Sequence, residues 1–133
     1  LKSNCFWLPS VPYEELLTLY QKSKIVLNFA RNFNFCNTLY EIVSSTTAPR
    51  TFEVAAMGIF QLVFLDKPEV YEYFDRDELI TFSSKDEFDQ LAEKYLTHAD
   101  LRTTVAQKAQ QRVLNQHLYR HRLQTLLHRV FCS

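Results

Sequence analysis

A single glycine, Gly58, is the feature of this 133-residue chain that excludes most. The dinucleotide-binding fingerprint needs three glycines and the P-loop two, each where the backbone must turn tightly against a phosphate. Glycine-rich kinase loops are excluded on the same ground. Any phosphate this chain handles must be met by a helix N-terminus and by side chains.

The remaining composition is that of one folded domain, residues 1–133. Hydrophobic residues at 47% and charged ones at 23% are ordinary globular values and exclude a disordered segment. Fifteen Lys and Arg balance fifteen Asp and Glu. A net charge of zero supplies no field to draw a phosphate backbone, so nucleic acid is not an expected partner. The cysteines, Cys5, Cys36 and Cys132, are odd in number and widely spaced. They form neither a disulfide framework nor a zinc pattern, and with no signal-peptide-like opening they point to a reducing, cytoplasmic setting. No apolar run approaches the roughly 20 residues that span a bilayer. The opening Leu1-Lys2-Ser3 lacks an initiator Met and reads as cut from a longer chain.

Short apolar runs alternate with helical patterns. Cys5 to Leu8 is a brief apolar run stopped by Pro9. Tyr13, Leu16, Leu17 and Tyr20 recur at i, i+3, i+4 and i+7 after Pro12, which predicts an amphipathic helix. Lys24–Ala30 (KIVLNFA) and Ile59–Leu65 (IFQLVFL) read as buried strands, and Leu79–Phe82 as a third. Arg31 to Ala48 is irregular and long enough to be functional. Pro49 to Met57 reads as a short helix, with proline in its first turn and Gly58 just past its end. Asp66 and Pro68 open a helical turn through Phe74, and Ser84-x-x-Glu87 is a capping box for the helix after it. Asp100 can cap a helix from Leu101 to about Asn115. A last helix from Tyr119 carries Leu123, Leu126, Leu127, Val130 and Phe131 on one stripe.

Strands alternating with helices predict an α/β fold: a Rossmann-like three-layer sandwich with a mostly parallel sheet, helices on both faces and helices at the C-terminus. In such sheets ligands bind beyond the carboxyl ends of the strands. That places the Pro49 helix at the expected ligand edge. Its free N–H groups favour a phosphate, Arg50 can fork onto phosphate oxygens, and Glu53 lies one turn on, where a carboxylate can accept both hydroxyls of a ribose. The same spacing is met equally by an exposed Arg50–Glu53 ion pair. His117, His121 and His128 could align on one helix, but no carboxylate lies between Asn115 and the C-terminus and a break near Leu118 is expected, so no metal site is assigned. Cys36 lacks a partner histidine nearby and reads as a packed free thiol. The basic residues of the late helices read as a solvated face.

The segments KIVLNFAR, PRTFEVAAMGIFQLV, ELITFSSKDEF and RVLNQHLYRHR resemble, in unbroken order from about Phe6 to Leu127, the C-terminal part of CgeB-like (spore maturation protein-like) glycosyltransferases. The pattern Arg50-x-Phe52-Glu53-x-Ala55-Ala56-x-Gly58 is the most specific piece, supported by His117-x-Tyr119-x-x-Arg122. The resemblance implies part of the donor-binding lobe of a GT-B fold, with a nucleotide sugar as donor substrate, an unidentified acceptor, and no metal or other cofactor. It implies that Glu53 holds the donor ribose, that Arg50 and the amides near Thr51 face the diphosphate, and that Arg31 lines the cleft. Many retaining relatives carry a second glutamate where this chain has Ser45, and Glu41 is at the wrong spacing. The resemblance begins at the third strand of the lobe, so this portion alone is expected to be inactive. It also leaves the 24–30 strand with an open edge, where repacking of the first 20 residues or a homodimer is expected. The alternative is a non-catalytic α/β interaction module with the same fold.

Overall fold

The computed structural model describes residues 10–29, 46–66 and 68–131. Helix α1 (Tyr13–Lys22) follows Pro12, whose carbonyl accepts from the Leu16 amide at 3.0 Å. Strand β1 (Val26–Asn28) leads, past the undescribed 30–45, to α2 (Pro49–Ala56), β2 (Gln61–Phe64), the single turn α3 (Val70–Tyr73) and β3 (Ile80–Phe82). Helices α4 (Lys85–Thr97) and α5 (Ala99–Arg112), a π-helical turn (Val113–His117) and α6 (Tyr119–Phe131) complete the chain.

The three strands form one parallel sheet in the order β1-β2-β3. Each is shorter than its apolar run, because ladder pairing stops at Asn28, Phe64 and Phe82. Register places Leu27 against Leu62 and Leu62 against Ile80, and the next rung joins Asn28, Val63 and Thr81. Alternation then sends the two rungs to opposite faces. Val63 packs with Ala55, Val70, Phe74, Leu79, Ala109 and Val113 under α2, α3 and the end of α5. Leu62 packs with Phe60, Phe82, Ala92, Tyr95 and Ala106 under α4 and α5. This is the expected α/β architecture, with helices on both faces of a parallel sheet.

Two helix ends explain how the chain is routed. Met57 is the last right-handed residue of α2, and Gly58 follows at φ +68°. The Gly58 amide donates to Ala55 O at 2.9 Å and the Ile59 amide to Val54 O at 3.3 Å, the paired bonds of a Schellman closure. At the start of α4, Ser84 Oγ accepts from the Glu87 amide at 3.2 Å. The Glu87 carboxylate reaches one residue further back than a simple capping box, to the amide of Ser83 at 2.7 Å and its hydroxyl at 2.9 Å. These bonds hold the Glu87 carboxyl below the usual carboxylate range.

Two expectations are corrected. Helix α5 begins at Ala99, so Asp100 lies inside its first turn and does not cap it. The reason is Arg102, whose guanidinium donates to the carbonyls of Tyr95 and Leu96 and so clamps α5 directly onto the end of α4. The same helix ends at Arg112 rather than near Asn115 and widens into the π-helical turn. The break at Leu118 is as expected, with its ψ extended at 154°. The apolar stripe of α6 is exposed along its whole length. Arg31, the three cysteines, the expected strand near Phe6 and the expected loop as far as Ser45 lie outside the described residues.

Candidate functional site

The first turn of α2 stands at the carboxyl edge of the sheet, held there by buried amides. Asn28, the last residue of β1, donates through Nδ2 to Thr51 Oγ1 at 2.9 Å and to Gln61 Oε1 at 3.3 Å. Gln61, the first residue of β2, donates through Nε2 to the Thr51 carbonyl at 2.8 Å. Asn28 and Thr51 are each 1% exposed and Gln61 3%, so the trio excludes water and pins α2 to both strands. The approach to α2 is fixed separately. The Glu69 carboxylate accepts from the Thr47 amide at 2.7 Å and from the Tyr73 hydroxyl at 2.7 Å. That bond to Glu69 is the main cause raising the Tyr73 phenol above its ordinary value.

Pinned in this way, α2 turns Arg50 and Glu53 outward, and both are exposed. They form no ion pair with one another, and the Glu53 carboxylate has no hydrogen-bond partner among the described residues. Thr51 faces the other way. Its hydroxyl oxygen accepts from Asn28 in the buried trio, and its amide donates to Ala48 O at 3.0 Å.

Glu53 lines a cleft of about 70 Å³ together with Pro49, Phe52, His117, Tyr119 and Arg122. The opposite wall of this cleft comes from the π-helical turn. An extra residue in that turn rotates His117 against Phe52, at 5.7 Å between ring centroids, and edge-on to Tyr73 at 5.6 Å. His117 Nε2–H donates to the Tyr73 carbonyl at 3.2 Å. Burial among these rings pushes the His117 imidazole below its ordinary value, only partly offset by that carbonyl. After the break at Leu118, Arg122 lies over the Phe52 ring at 4.9 Å. A carboxylate, a guanidinium and aromatic faces therefore meet at the first turn of α2, an arrangement suited to a polar ring with hydroxyls and an anion beside it.

A second cleft, about 20 Å³, lies on the inner side of the same turn, lined by Asn28, Thr47, Ala48, Thr51, Phe64 and Asp66 among others. Asp66 Oδ2 is shut off from solvent there without a hydrogen-bond partner. Among the described residues, no three His, Cys, Asp or Glu are grouped to hold a metal ion. No helix among them is long and apolar enough to cross a membrane.

The sequence model of the glycosyl transferase-like family matches residues 2–128. The chain belongs to that family. The match runs through both segments that build the cleft, α2 and the turn from His117 to Arg122. No curated protein and no solved structure matches the chain.

Of the residues singled out from sequence, Arg50 and Glu53 are brought to one outer surface and Thr51 is drawn into the interior. Arg31 lies outside the described residues. His117, Tyr119 and Arg122, the second pattern singled out from sequence, form the facing wall of the Glu53 cleft. Sequence reasoning missed Asn28, Gln61 and Glu69. The first two had a signal, a polar residue inside an otherwise apolar strand, which must be hydrogen-bonded if buried.

Proposed function

We propose that this chain is the donor-binding portion of a CgeB-like glycosyltransferase of the GT-B fold, acting on a nucleoside diphosphate sugar in the cytoplasm. The observation that carries the reading is the Glu53 carboxylate, which has no hydrogen-bond partner among the described residues and lines a cleft where the two segments that carry the resemblance meet. In this reading Glu53 accepts both ribose hydroxyls, each bond strengthened by its charge. Arg50 and the N-terminal turn of α2 face the diphosphate, with Arg31 contributing from the end of its strand. Thr51 serves by fixing that turn, since its own polar groups are spent internally.

The chemistry is glycosyl transfer. An acceptor hydroxyl oxygen forms a bond to the anomeric carbon as the bond from that carbon to the β-phosphate oxygen breaks; the electron pair leaves with the diphosphate, and the hydroxyl proton is released to solvent. The positive end of α2 and the Arg50 guanidinium stabilise the charge that develops on it.

Calorimetric titration of UDP, GDP, ADP and dTDP into the chain tests the reading. One diphosphate should bind, and Glu53→Gln, which keeps the shape and removes the charge, should weaken it by about tenfold, the value of one charge-assisted pair of hydrogen bonds. Binding unaffected by Glu53→Gln would refute the ribose role. Binding of none would leave the interaction-module reading in its place.

A further inference from the structure

We infer that Asp66 reads a hydroxyl of the sugar being transferred, accepting its hydrogen bond within the inner cleft beside Asn28. This rests on the donor-binding reading above and assigns a residue that the reading leaves unused.

Asp66 follows β2 directly, at the carboxyl edge where ligands of parallel sheets bind. Its Oδ2 is the one buried side-chain nitrogen or oxygen without a hydrogen-bond partner among the described residues. A buried acceptor in that state is unfavourable, and more so when it is charged. None of the donors of the described residues reaches Asp66 Oδ2: Asn28 Nδ2 goes to Thr51 and Gln61, the Thr47 amide and hydroxyl to Glu69, and the Thr51 amide to Ala48 O. No cation is among the described residues that line it. Among the described residues, Asp66 Oδ2 is therefore an acceptor open to a donor from a molecule that enters the cleft.

The shape and charge of the cleft select the chemical class. About 20 Å³ holds one water or one hydroxyl, and no more. An ionised carboxylate has acceptor sites only, so it repels a phosphate and gains nothing from a carbonyl. An O–H is the group it takes. Ala48 and Thr51 belong both to this cleft and to the start of α2, so the hydroxyl arrives next to the turn assigned to the diphosphate. In a nucleoside diphosphate sugar the diphosphate joins two hydroxylated groups, the ribose, which the reading above gives to Glu53, and the transferred sugar, which is left for this cleft. Without donor bound, a water fills the same role and is displaced by the sugar hydroxyl.

The test uses the whole chain and two sets of probes: UDP, GDP, ADP and dTDP, and their glucose conjugates, titrated into the parent, Asp66→Asn and Glu53→Gln, with thermal melts alongside. Asp66→Asn keeps the volume but replaces one acceptor oxygen by an NH2 donor that cannot receive an O–H. The affinity for the glucose conjugate should fall by about tenfold or more, while that for the free diphosphate changes by less than about twofold. Glu53→Gln should weaken both ligands alike. The melting temperature of Asp66→Asn should equal or exceed the parent's, because no hydrogen bond to Asp66 Oδ2 within the described residues is lost. Equal losses for both ligands, no loss for either, or a lowered melting temperature would each overturn the inference. A parent that binds no diphosphate would instead overturn the donor-binding reading beneath it.

Discussion

Thr51→Val isolates the device that holds the first turn of α2 against the sheet. Valine matches threonine in shape, so packing is preserved and only the hydroxyl is lost. The substitution removes the 2.9 Å bond from Asn28 Nδ2 and leaves one of its N–H groups facing a methyl. Both residues are 1% exposed, so water cannot restore the bond. The lost bond and the stranded donor together cost about 2 kcal/mol. At about 2.1 cal/mol/K per residue, a chain of 133 residues unfolds with an entropy near 0.28 kcal/mol/K, so the melting temperature should drop by about 7 °C. Calorimetry and urea titration should agree on that loss with an unchanged urea slope. Combining Thr51→Val with Asn28→Ala should cost less than the two single changes together, by about 1 kcal/mol, because the stranded donor is then gone. A single-variant loss below about 0.5 kcal/mol, or strict additivity in the pair, would refute the claim that this trio positions α2.

Gly58→Ala forces a Cβ into a left-handed residue at φ +68° and to 3.1 Å from the Gln110 amide group, itself bonded to Ala56 O at 3.0 Å. Urea unfolding should report a loss of about 1–2 kcal/mol, and an unchanged midpoint would contradict the Schellman closure. The His117 imidazole titrates below its ordinary value in the fold because of its burial, so the unfolded chain takes up the proton first as the pH falls. Stability should therefore be full above about pH 6.5 and decline as pH drops toward the lower folded value, and His117→Gln should flatten that decline in melts run from pH 7.5 to 5. Leu126→Ser and Leu127→Ser lie on the exposed stripe of α6 and should each change stability by less than about 0.5 kcal/mol. A loss of several kcal/mol would show that the stripe is covered within this chain.

The parts legible in the sequence were those fixed by local chemistry. Pro49 opens α2 and Gly58 closes it just past its Met57 cap because each acts through its own backbone. The alternation of apolar runs and helical periods was enough for a parallel α/β sheet. What escaped depends on tertiary partners. Asp100 carries the signature of a cap, yet Arg102 reaching back to the end of α4 sets where α5 begins. The π-helical turn has no proline or glycine to announce it, and it arises where Val113 must stay in the core while His117 meets the rings of α2 and α3. Glu53 was recognisable from its spacing in α2, but its cleft needs a wall 64 positions away in the chain, at His117. Thr51 was placed correctly along the helix, and only the fold shows that its hydroxyl points inward.

Backbone amide NMR of the labelled chain, titrated with the diphosphate that binds, tests the central claim most directly. Donor binding through the first turn of α2 predicts that the largest shift changes fall on residues 50–54 and 117–122, with little change at the amino edge of the sheet around Lys24, Gly58 and Arg102. Shift changes concentrated at that amino edge, where a separate cavity of about 260 Å³ lies, would contradict it.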